Sequence, residues 1–244
     1  MLHIATTNSN IPLVINNLFE SIKRNCSQDF ILHVCNVHNS EWIPQEGCSL
    51  EIYTENNNQI KFYDFLPDSV HSSVRHSMAL NYIKTILPQD ELAIICDADI
   101  HMCKNFDKIL VEEYQISNCS FIATENSNKN CSHLPHPTLF CGKMQTLTDY
   151  NVDFLAVPKI EKNHPGGIVR GKSETGHKLG KIPNWLHLIQ KPQFTIFKKN
   201  TYAIFLQNNL IAFHFKSGRK FNGAPHFKEW IRLCRSSESL TLIP

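Results

Sequence analysis

Apolar and polar residues follow two alternating periods in the first half of the chain, and this pattern predicts alternating strands and helices. Short apolar runs are typical of buried strands, whereas apolar residues three and four positions apart are typical of a helix with one buried face. The predicted strands cover residues 2–5, 30–37, 50–53, 92–96 and 120–124. A polar stretch with three consecutive asparagines follows the third of them.

Helices are predicted between these strands. The first begins near Pro12, a residue that suits the first turn of a helix. The second is capped by Ser72 or Ser73 and ends before Pro88, and the third covers about residues 106–114. This order predicts an α/β fold with a mostly parallel, doubly wound central sheet, helices on both faces and ligands at the carboxyl ends of the strands.

The second half of the chain has a different pattern. Residues 126–191 are rich in proline and glycine and are interpreted as mostly loops. Strands are predicted again at 194–198, 202–205 and 210–215. Because neither a linker nor an internal repeat separates the halves, we expect the second half to be a lobe built on the same sheet.

Composition and charge exclude some classes of function. The 244 residues are 42% hydrophobic and 19% charged, which is ordinary for a globular protein. A formal net charge of +2 excludes a strongly basic nucleic-acid-binding protein. No apolar run approaches the roughly 20 residues that cross a bilayer, and the first residues are too polar for a signal peptide. We therefore expect a soluble protein that neither spans nor enters a membrane.

The cysteine pattern predicts a reducing compartment. There are nine cysteines without a CxxC pair, and Cys35 and Cys96 lie inside apolar strand-like runs. An odd number of this kind argues against a disulfide framework and favours the cytoplasm. A zinc site at His133, His136 and Cys141 is disfavoured, because a fourth ligand at suitable spacing is missing.

The most informative motif is the end of the apolar run 92–96, which is followed by Asp97 and Asp99. Side chains two residues apart on an extended chain point the same way, so both carboxylates can approach one cation. A hard divalent ion prefers such oxygen ligands. The sequence thus predicts a metal site at the carboxyl end of a sheet strand; a pair of solvated loop aspartates is the alternative that the motif leaves open.

Together with a strand–helix–strand half and a loop-rich half, two motifs resemble those of GT-A glycosyltransferases. One is the DxD motif Asp97-Ala98-Asp99. The other is the segment 214–220, HFKSGRK, which is similar to the His…Gly…Lys segment of the glycogenin and bacterial galactosyltransferase family. The placement of the helix before the DxD strand is also similar to that in family-2-like enzymes. The resemblance implies a GT-A-like, Rossmann-like fold.

The resemblance also implies a ligand set. Asp99 and His214 would bind the metal directly, and Asp97 would reach it through water or bind the donor ribose. Carboxylates with an imidazole suit Mn²⁺, or Mg²⁺ as the second choice. Gly218 and Lys220 would face the donor diphosphate, with Arg219 as a further candidate for the phosphates.

Nucleotide contacts are expected over the ends of the first two strands. Small polar side chains there can hydrogen-bond a base or a ribose, although such residues are equally common in plain loops. The candidates are Thr6, Thr7, Asn8, Asn36 and Asn39. Arg75, on the helix before the DxD strand, is a further candidate for the base or the diphosphate, with a solvated helix face as the alternative.

A catalytic carboxylate is predicted in the second half. In inverting GT-A enzymes an acidic residue in this region deprotonates the acceptor hydroxyl, which is general-base catalysis. Glu174 is the first choice and Asp153 the second; a retaining enzyme would need neither as a base. Trp185 and His187 are candidate acceptor contacts, and both could instead belong to the core.

The predicted function is a metal-dependent glycosyltransferase of one domain, 1–244. Residues 1–125 would bind the nucleoside-diphosphate sugar, a UDP-sugar by preference, and residues 126–244 would bind a glycan or another hydroxyl acceptor. One alternative is a haloacid-dehalogenase-type phosphatase, although that family has Thr or Val where His101 stands here. The other is a non-catalytic sugar-binding protein with the same fold.

Overall fold

The computed structural model describes residues 1–8, 12–37, 59–65, 72–125, 134–155, 158–160, 169–171, 175–193, 201–215 and 224–237. The strands predicted at 50–53 and 194–198 lie outside the described residues.

The described residues form strands and helices in mixed order. The strands are β1 (Leu2–Asn8), β2 (Phe30–Val37), β3 (Ile60–Phe65), β4 (Leu92–Asp97), β5 (Ile100–Met102), β6 (Phe121–Glu125), β7 (Pro135–Lys143), β8 (Pro158–Ile160), β9 (Val169–Gly171), β10 (Trp185–Pro192), β11 (Thr201–Leu206) and β12 (Asn209–Phe215). The helices are α1 (Pro12–Asn25), α2 (Ser72–Ile86), α3 (Phe106–Ser117), α4 (Met144–Asp149) and α5 (Ala224–Ser237), and His177–Lys181 is a short 3-10 helix.

Ten of these strands form one sheet in the order β3-β2-β1-β4-β7-β6-β10-β11-β12-β5, and β8 and β9 form a separate antiparallel pair. The central part is mostly parallel, since β3, β2, β1 and β4 run in one direction and β6 is parallel to β10. Only β7 runs against its neighbours β4 and β6 there. From β10 to β5 all pairings are antiparallel.

The helices cover both faces of the central sheet. Apolar residues of α1 and α3, such as Leu18 and Phe106, are buried in one core. Residues of α2 and α4, such as Ile83 and Leu147, are buried in a second core. Strand residues that alternate along β4 enter the two cores in turn, Ile94 the first and Ile95 the second. The predicted α/β fold with helices on both faces of a mostly parallel central sheet is confirmed.

Several elements differ from the sequence prediction. The interval interpreted as loops contains β7 and β10, two strands inside the sheet. Two of the prolines that suggested a loop, at 135 and 137, stand at the start of β7, where a strand tolerates them. Strand β3 was also missed, because an edge strand with half-exposed side chains lacks a continuous apolar run.

A third core attaches α5, which was not predicted either. Trp230 and Cys234 of α5 pack with Val14 of α1 and with Phe205 and Phe213 of the antiparallel strands. None of the helices in the described residues has the length and apolar character to cross a membrane. The seven cysteines in the described part of the chain are free thiols.

Candidate metal and nucleotide site

The end of β4 and the end of β12 meet at one point. His214 Nε2 lies 3.8 Å from Asp97 Oδ2 and 3.5 Å from Asp99 Oδ1. The pairing of β12 with β5 produces this contact, since His214 pairs with Ile100 and the Phe215 N–H donates to the Asp99 carbonyl at 2.9 Å. The structure therefore brings together the three predicted metal ligands, although they are far apart in the chain.

The donor atoms of these residues fit a divalent cation. One carboxylate oxygen each of Asp97 and Asp99 and one imidazole nitrogen of His214 lie within 4.8 Å of one another. The ligand atoms of an octahedral ion, each about 2.1 Å from the metal, lie about 3 Å apart in cis positions and about 4.2 Å apart in trans positions. Small side-chain movements would therefore bring these three atoms to coordinating positions. Within the described ranges this is the single group of His, Cys, Asp and Glu side chains with such spacing. Two carboxylates and an imidazole suit Mn²⁺ or Mg²⁺.

His76 of α2 is a site residue that sequence reasoning missed. Its Nδ1 hydrogen-bonds Thr7 Oγ1 at 2.9 Å, and its Nε2 lies 3.7 Å from Asp97 Oδ1. Thr7 and Asp97 are partners in the β1–β4 pairing, which places both beneath the same helix. Helical periodicity could show that α2 has a buried face, but only the strand order shows that this face meets Asp97.

Cys96 is adjacent to Asp97 in the sequence but is not part of the metal site. Its side chain points into the core on the opposite face of the sheet. Burial first, and then the charges of Asp97 and Asp99, raise the pKa of this thiol well above its ordinary value. Because the Cys96 side chain lies on the other face of the sheet, the donor atoms that meet at the site are oxygen and nitrogen.

A row of polar side chains crosses the carboxyl ends of β1, β2 and β3. Asn8 Nδ2 donates to Asn36 Oδ1 at 3.1 Å, and Asn36 Nδ2 is 3.5 Å from Asp64 Oδ1. These residues are register partners, so the three side chains share one face. Asp64 was not predicted, because β3 was not recognised. Thr6, two residues before Asn8 in β1, lies on the same face as this row and is fully buried, whereas Thr7 lies on the opposite face with Asp97.

Other predicted site residues have varied surroundings. Arg75 is partly buried on α2, one residue before His76. Asp153 accepts two hydrogen bonds from Lys178 Nζ, at 2.8 and 2.7 Å, and one from the Leu155 N–H at 2.9 Å. A role as base would require this ion pair to open. The predicted residues Asn39, Glu174, Gly218, Arg219 and Lys220 lie outside the described residues, as does His133.

The aromatic acceptor candidates lie together on β10. The Trp185 ring is stacked with the rings of Phe121 and His187. His187 contacts Glu125 through Nδ1, and its side chain is 46% exposed. His101, by contrast, is buried and hydrogen-bonds Asn17 at 3.0 Å, so it belongs to the structural core.

Comparisons with known proteins find similarity only at the level of structure. No family model and no curated protein match the sequence. An active-site mutant of the galactosyltransferase LgtC is 7% identical, over 76% of this chain and 72% of that one, with a TM-score of 0.49. TarS of S. aureus in complex with UDP-GlcNAc is 13% identical, over 63% and 48%, with a TM-score of 0.43.

The mannosyltransferase PcManGT from Pyrobaculum calidifontis, in complex with GDP-Man and Mn²⁺, is 12% identical over 61% of this chain and 46% of that one, with a TM-score of 0.44. The match thus spans about half the length of TarS and of PcManGT. These are distant likenesses. In fold, the chain is similar to nucleotide-sugar glycosyltransferases of the GT-A type.

Proposed function

We propose that this protein is a metal-dependent glycosyltransferase that uses a nucleoside-diphosphate sugar, a UDP-sugar by preference. The observation that carries the proposal is the convergence of Asp97, Asp99 and His214 at the carboxyl edge of the sheet. Three such ligand atoms leave the remaining positions of a six-coordinate ion to water and phosphate oxygens. A diphosphate is the chemical group that such a partly open site binds.

This arrangement suits the chemistry of glycosyl transfer. The leaving group is a nucleoside diphosphate, so negative charge develops on its oxygen as the bond to the sugar breaks. A bound divalent cation supplies Lewis-acid stabilisation of that charge, worth several kcal/mol. The chain itself holds the carboxylates in place: His76 orients Asp97, and the β5–β12 pairing fixes His214 against Asp99.

The nucleoside half of the donor belongs over the ends of β1, β2 and β3. The side chains of Asn8, Asn36 and Asp64 offer amide and carboxylate groups to a base edge or a ribose. Thr7 adjoins Asn8 in β1 and is the register partner of Asp97 in β4, so the row and the acidic pair meet at the carboxyl ends of these strands, where we place the ribose. Gly218 and Lys220 are proposed for the phosphates, as the sequence resemblance implies, and Arg75 for the base or the diphosphate.

A thermal-shift experiment tests the proposed function. Mn²⁺ with UDP, GDP or CDP is added to the wild-type protein, because a ligand that binds only the native state raises the Tm by mass action. We expect the Tm to rise only when both the nucleotide and Mn²⁺ are present. A hundredfold excess of ligand over Kd stabilises the native state by about 2.7 kcal/mol. Asp99→Ala should abolish the shift and leave the metal-free protein folded, as circular dichroism would show.

Asp90→Ala is the matched control, since Asp90 is an exposed aspartate just before the same strand. It should leave the shift unchanged. A shift that survives Asp99→Ala would place the metal elsewhere, and a wild-type protein that binds none of the three nucleotides would contradict the proposal. Release of phosphate from p-nitrophenyl phosphate without nucleotide would indicate the phosphatase instead.

A further inference from the structure

A second cluster of side chains lies on β6 and β10, which β7 separates from β4 and its acidic pair. It consists of Phe121 and Glu125 of β6 and of Trp185 and His187 of β10, and we name it the ring–carboxylate cluster. The Phe121 and Trp185 rings are stacked with centroids 5.8 Å apart, and the Trp185 and His187 rings with centroids 3.8 Å apart. His187 Nδ1 lies 2.5 Å from Glu125 Oε1.

The His187 imidazole is held in two ways. The stack on Trp185, which rests on the fully buried Phe121, fixes the plane of the ring. The contact with Glu125 fixes its rotation and keeps the proton on Nδ1, because a carboxylate accepts that hydrogen bond. The lone pair is then on Nε2, which has no hydrogen-bond partner among the residues that the structure describes. This is how a general base is positioned.

The cluster reaches the edge of the sheet that holds the metal ligands through Glu125, the last residue of β6. His187 is the register partner of Ala123 and lies two residues farther from that edge. Strands β4 and β6 both pair antiparallel with β7, so they run in the same direction and end at the same edge. Ile95 and Ala123 are both register partners of Phe140. Asp97 follows Ile95 by two residues and lies on the same face of the sheet. The pairing of β6 with β7 shifts register after Ala123, but the contact of Glu125 with His187, the register partner of Ala123, places Glu125 on that face as well.

The distance between the metal ligands and His187 suits an acceptor site. His187 lies on β10, which is three strand spacings, about 14 Å, from β4. A donor sugar whose diphosphate lies at Asp97 extends outward by one ring, and the acceptor oxygen has to lie beyond it. Nearly half of the His187 side chain is exposed at that place, at 46%. The imidazole is thus open to a bound molecule while its other contacts stay fixed.

We propose, on the basis of the proposed function, that His187 is the general base for the acceptor hydroxyl and that Glu125 is its positioning residue. The acceptor O–H proton passes to His187 Nε2 while the oxygen forms a bond to the anomeric carbon of the donor sugar. The bond between that carbon and the diphosphate oxygen breaks, and its electron pair leaves with the nucleoside diphosphate. This direct displacement inverts the configuration of the sugar.

Hydrogen bonding favours His187 over Asp153 as the general base. Both carboxylate oxygens of Asp153 accept from Lys178 Nζ, so that group is already neutralised by an ion pair. No ion pair has to open before His187 can accept a proton, because its only hydrogen bond among the described residues orients the ring. Glu174 remains the competing candidate, and the experiment separates the two.

The experiment measures UDP release from UDP-galactose, UDP-glucose and UDP-N-acetylglucosamine with Mn²⁺, with water as the acceptor. We expect His187→Ala to lower kcat about a hundredfold, within the range of general-base contributions, and to leave the KM of the donor unchanged. Added imidazole should restore part of that kcat, which a merely structural role would not permit. Glu125→Gln should lower kcat without rescue by imidazole.

Glu229→Gln is the matched control, since Glu229 forms an exposed ion pair with Arg232 on α5. It should leave kcat unchanged. Wild-type kcat in His187→Ala, loss of kcat on Glu174→Gln alone, or retention of sugar configuration in the product would each overturn the assignment. A wild-type protein that binds Mn²⁺ and UDP but releases no UDP from any donor overturns it as well. Absence of Mn²⁺–UDP binding would overturn the proposed function itself, which distinguishes the two failures.

Discussion

At the scale of single residues, Asp97 lies between two imidazoles. His76 Nε2 is 3.7 Å from one of its oxygens, and His214 Nε2 is 3.8 Å from the other. His214 is proposed as a metal ligand, whereas His76 is anchored to Thr7 on the opposite side. Partners that orient a ligating carboxylate contribute to metal affinity even though they do not touch the metal.

We therefore expect His76→Ala to weaken Mn²⁺ binding, measured by electron paramagnetic resonance in the presence of UDP, by about 10- to 100-fold. The cause is a carboxylate that loses its fixed orientation. Thr85→Ala, on the exposed side of the same helix, should leave the affinity unchanged. Wild-type affinity in His76→Ala would show that Asp97 is oriented without it.

At the scale of elements, β7 is the strand that joins the two parallel parts of the sheet. It pairs with β4 on one side and with β6 on the other. Gly142 lies where these strands are packed most closely, since a Cβ there would be 2.8 Å from Phe121 Cβ and 3.0 Å from Phe140 Cζ. The Phe121 Cβ is attached directly to a central strand, so it cannot move away without shifting backbone.

Gly142→Ala is accordingly expected to lower the free energy of unfolding by about 1–3 kcal/mol, as overpacking does in a filled core. Gly180→Ala is the matched control. A Cβ at Gly180 would meet Leu134 Cδ2 at 2.8 Å, which is the end of a flexible side chain and can turn away. Urea unfolding of both variants measures the difference, and equal losses would contradict the argument.

At the scale of the whole molecule, stability depends on pH through imidazoles buried against the sheet. His33 is 3% exposed and lies between His3 Nδ1 at 2.9 Å and Tyr63 Oη at 3.0 Å. Burial, followed by the neighbouring His3 and Lys61, lowers the pKa of His33 from 6.5 to about 4. Burial lowers the pKa of His3 as well.

The unfolded chain then binds more protons than the native protein between pH 6.5 and about 4. Stability is complete above pH 6.5 and falls as the pH decreases through this window, by about 3 kcal/mol in total from His33. Urea unfolding between pH 7 and pH 4 measures this loss. His33→Phe should have a shallower pH dependence, whereas Leu32→Ala should lower stability at every pH without changing that slope. An unchanged slope in His33→Phe would assign the pH dependence to other groups.

Much of this fold could be predicted because the information is local. The 92–96 run and the two following aspartates identified β4 and its acidic end, since a fully buried strand is a continuous apolar run. Helix α2 was predicted from its capping serines and the proline after it. Strands β3 and β7 could not be predicted in the same way, because an edge strand and a strand that begins with prolines do not have that local pattern.

The candidate site could be predicted only in part for the same reason. Asp97 and Asp99 are neighbours in the chain, and His214 was reached through a resemblance of motifs. His76, Asp64 and the pairing of Glu125 with His187 left no signal, because each depends on which strands and helices are neighbours. A histidine on a helix and a glutamate at a strand end are ordinary in any sequence.

By itself, the amino-acid sequence determined the class of fold, the elements with a clear period, and an acidic pair suited to a cation. The tertiary structure alone decided that β12 pairs with β5 beside that pair, that α2 places an imidazole over it, and that β6 and β10 bring a carboxylate to a stacked histidine. The physical reason is that periodicity and capping act over a few residues, whereas a binding site forms from side chains that only the packing of distant strands makes neighbours.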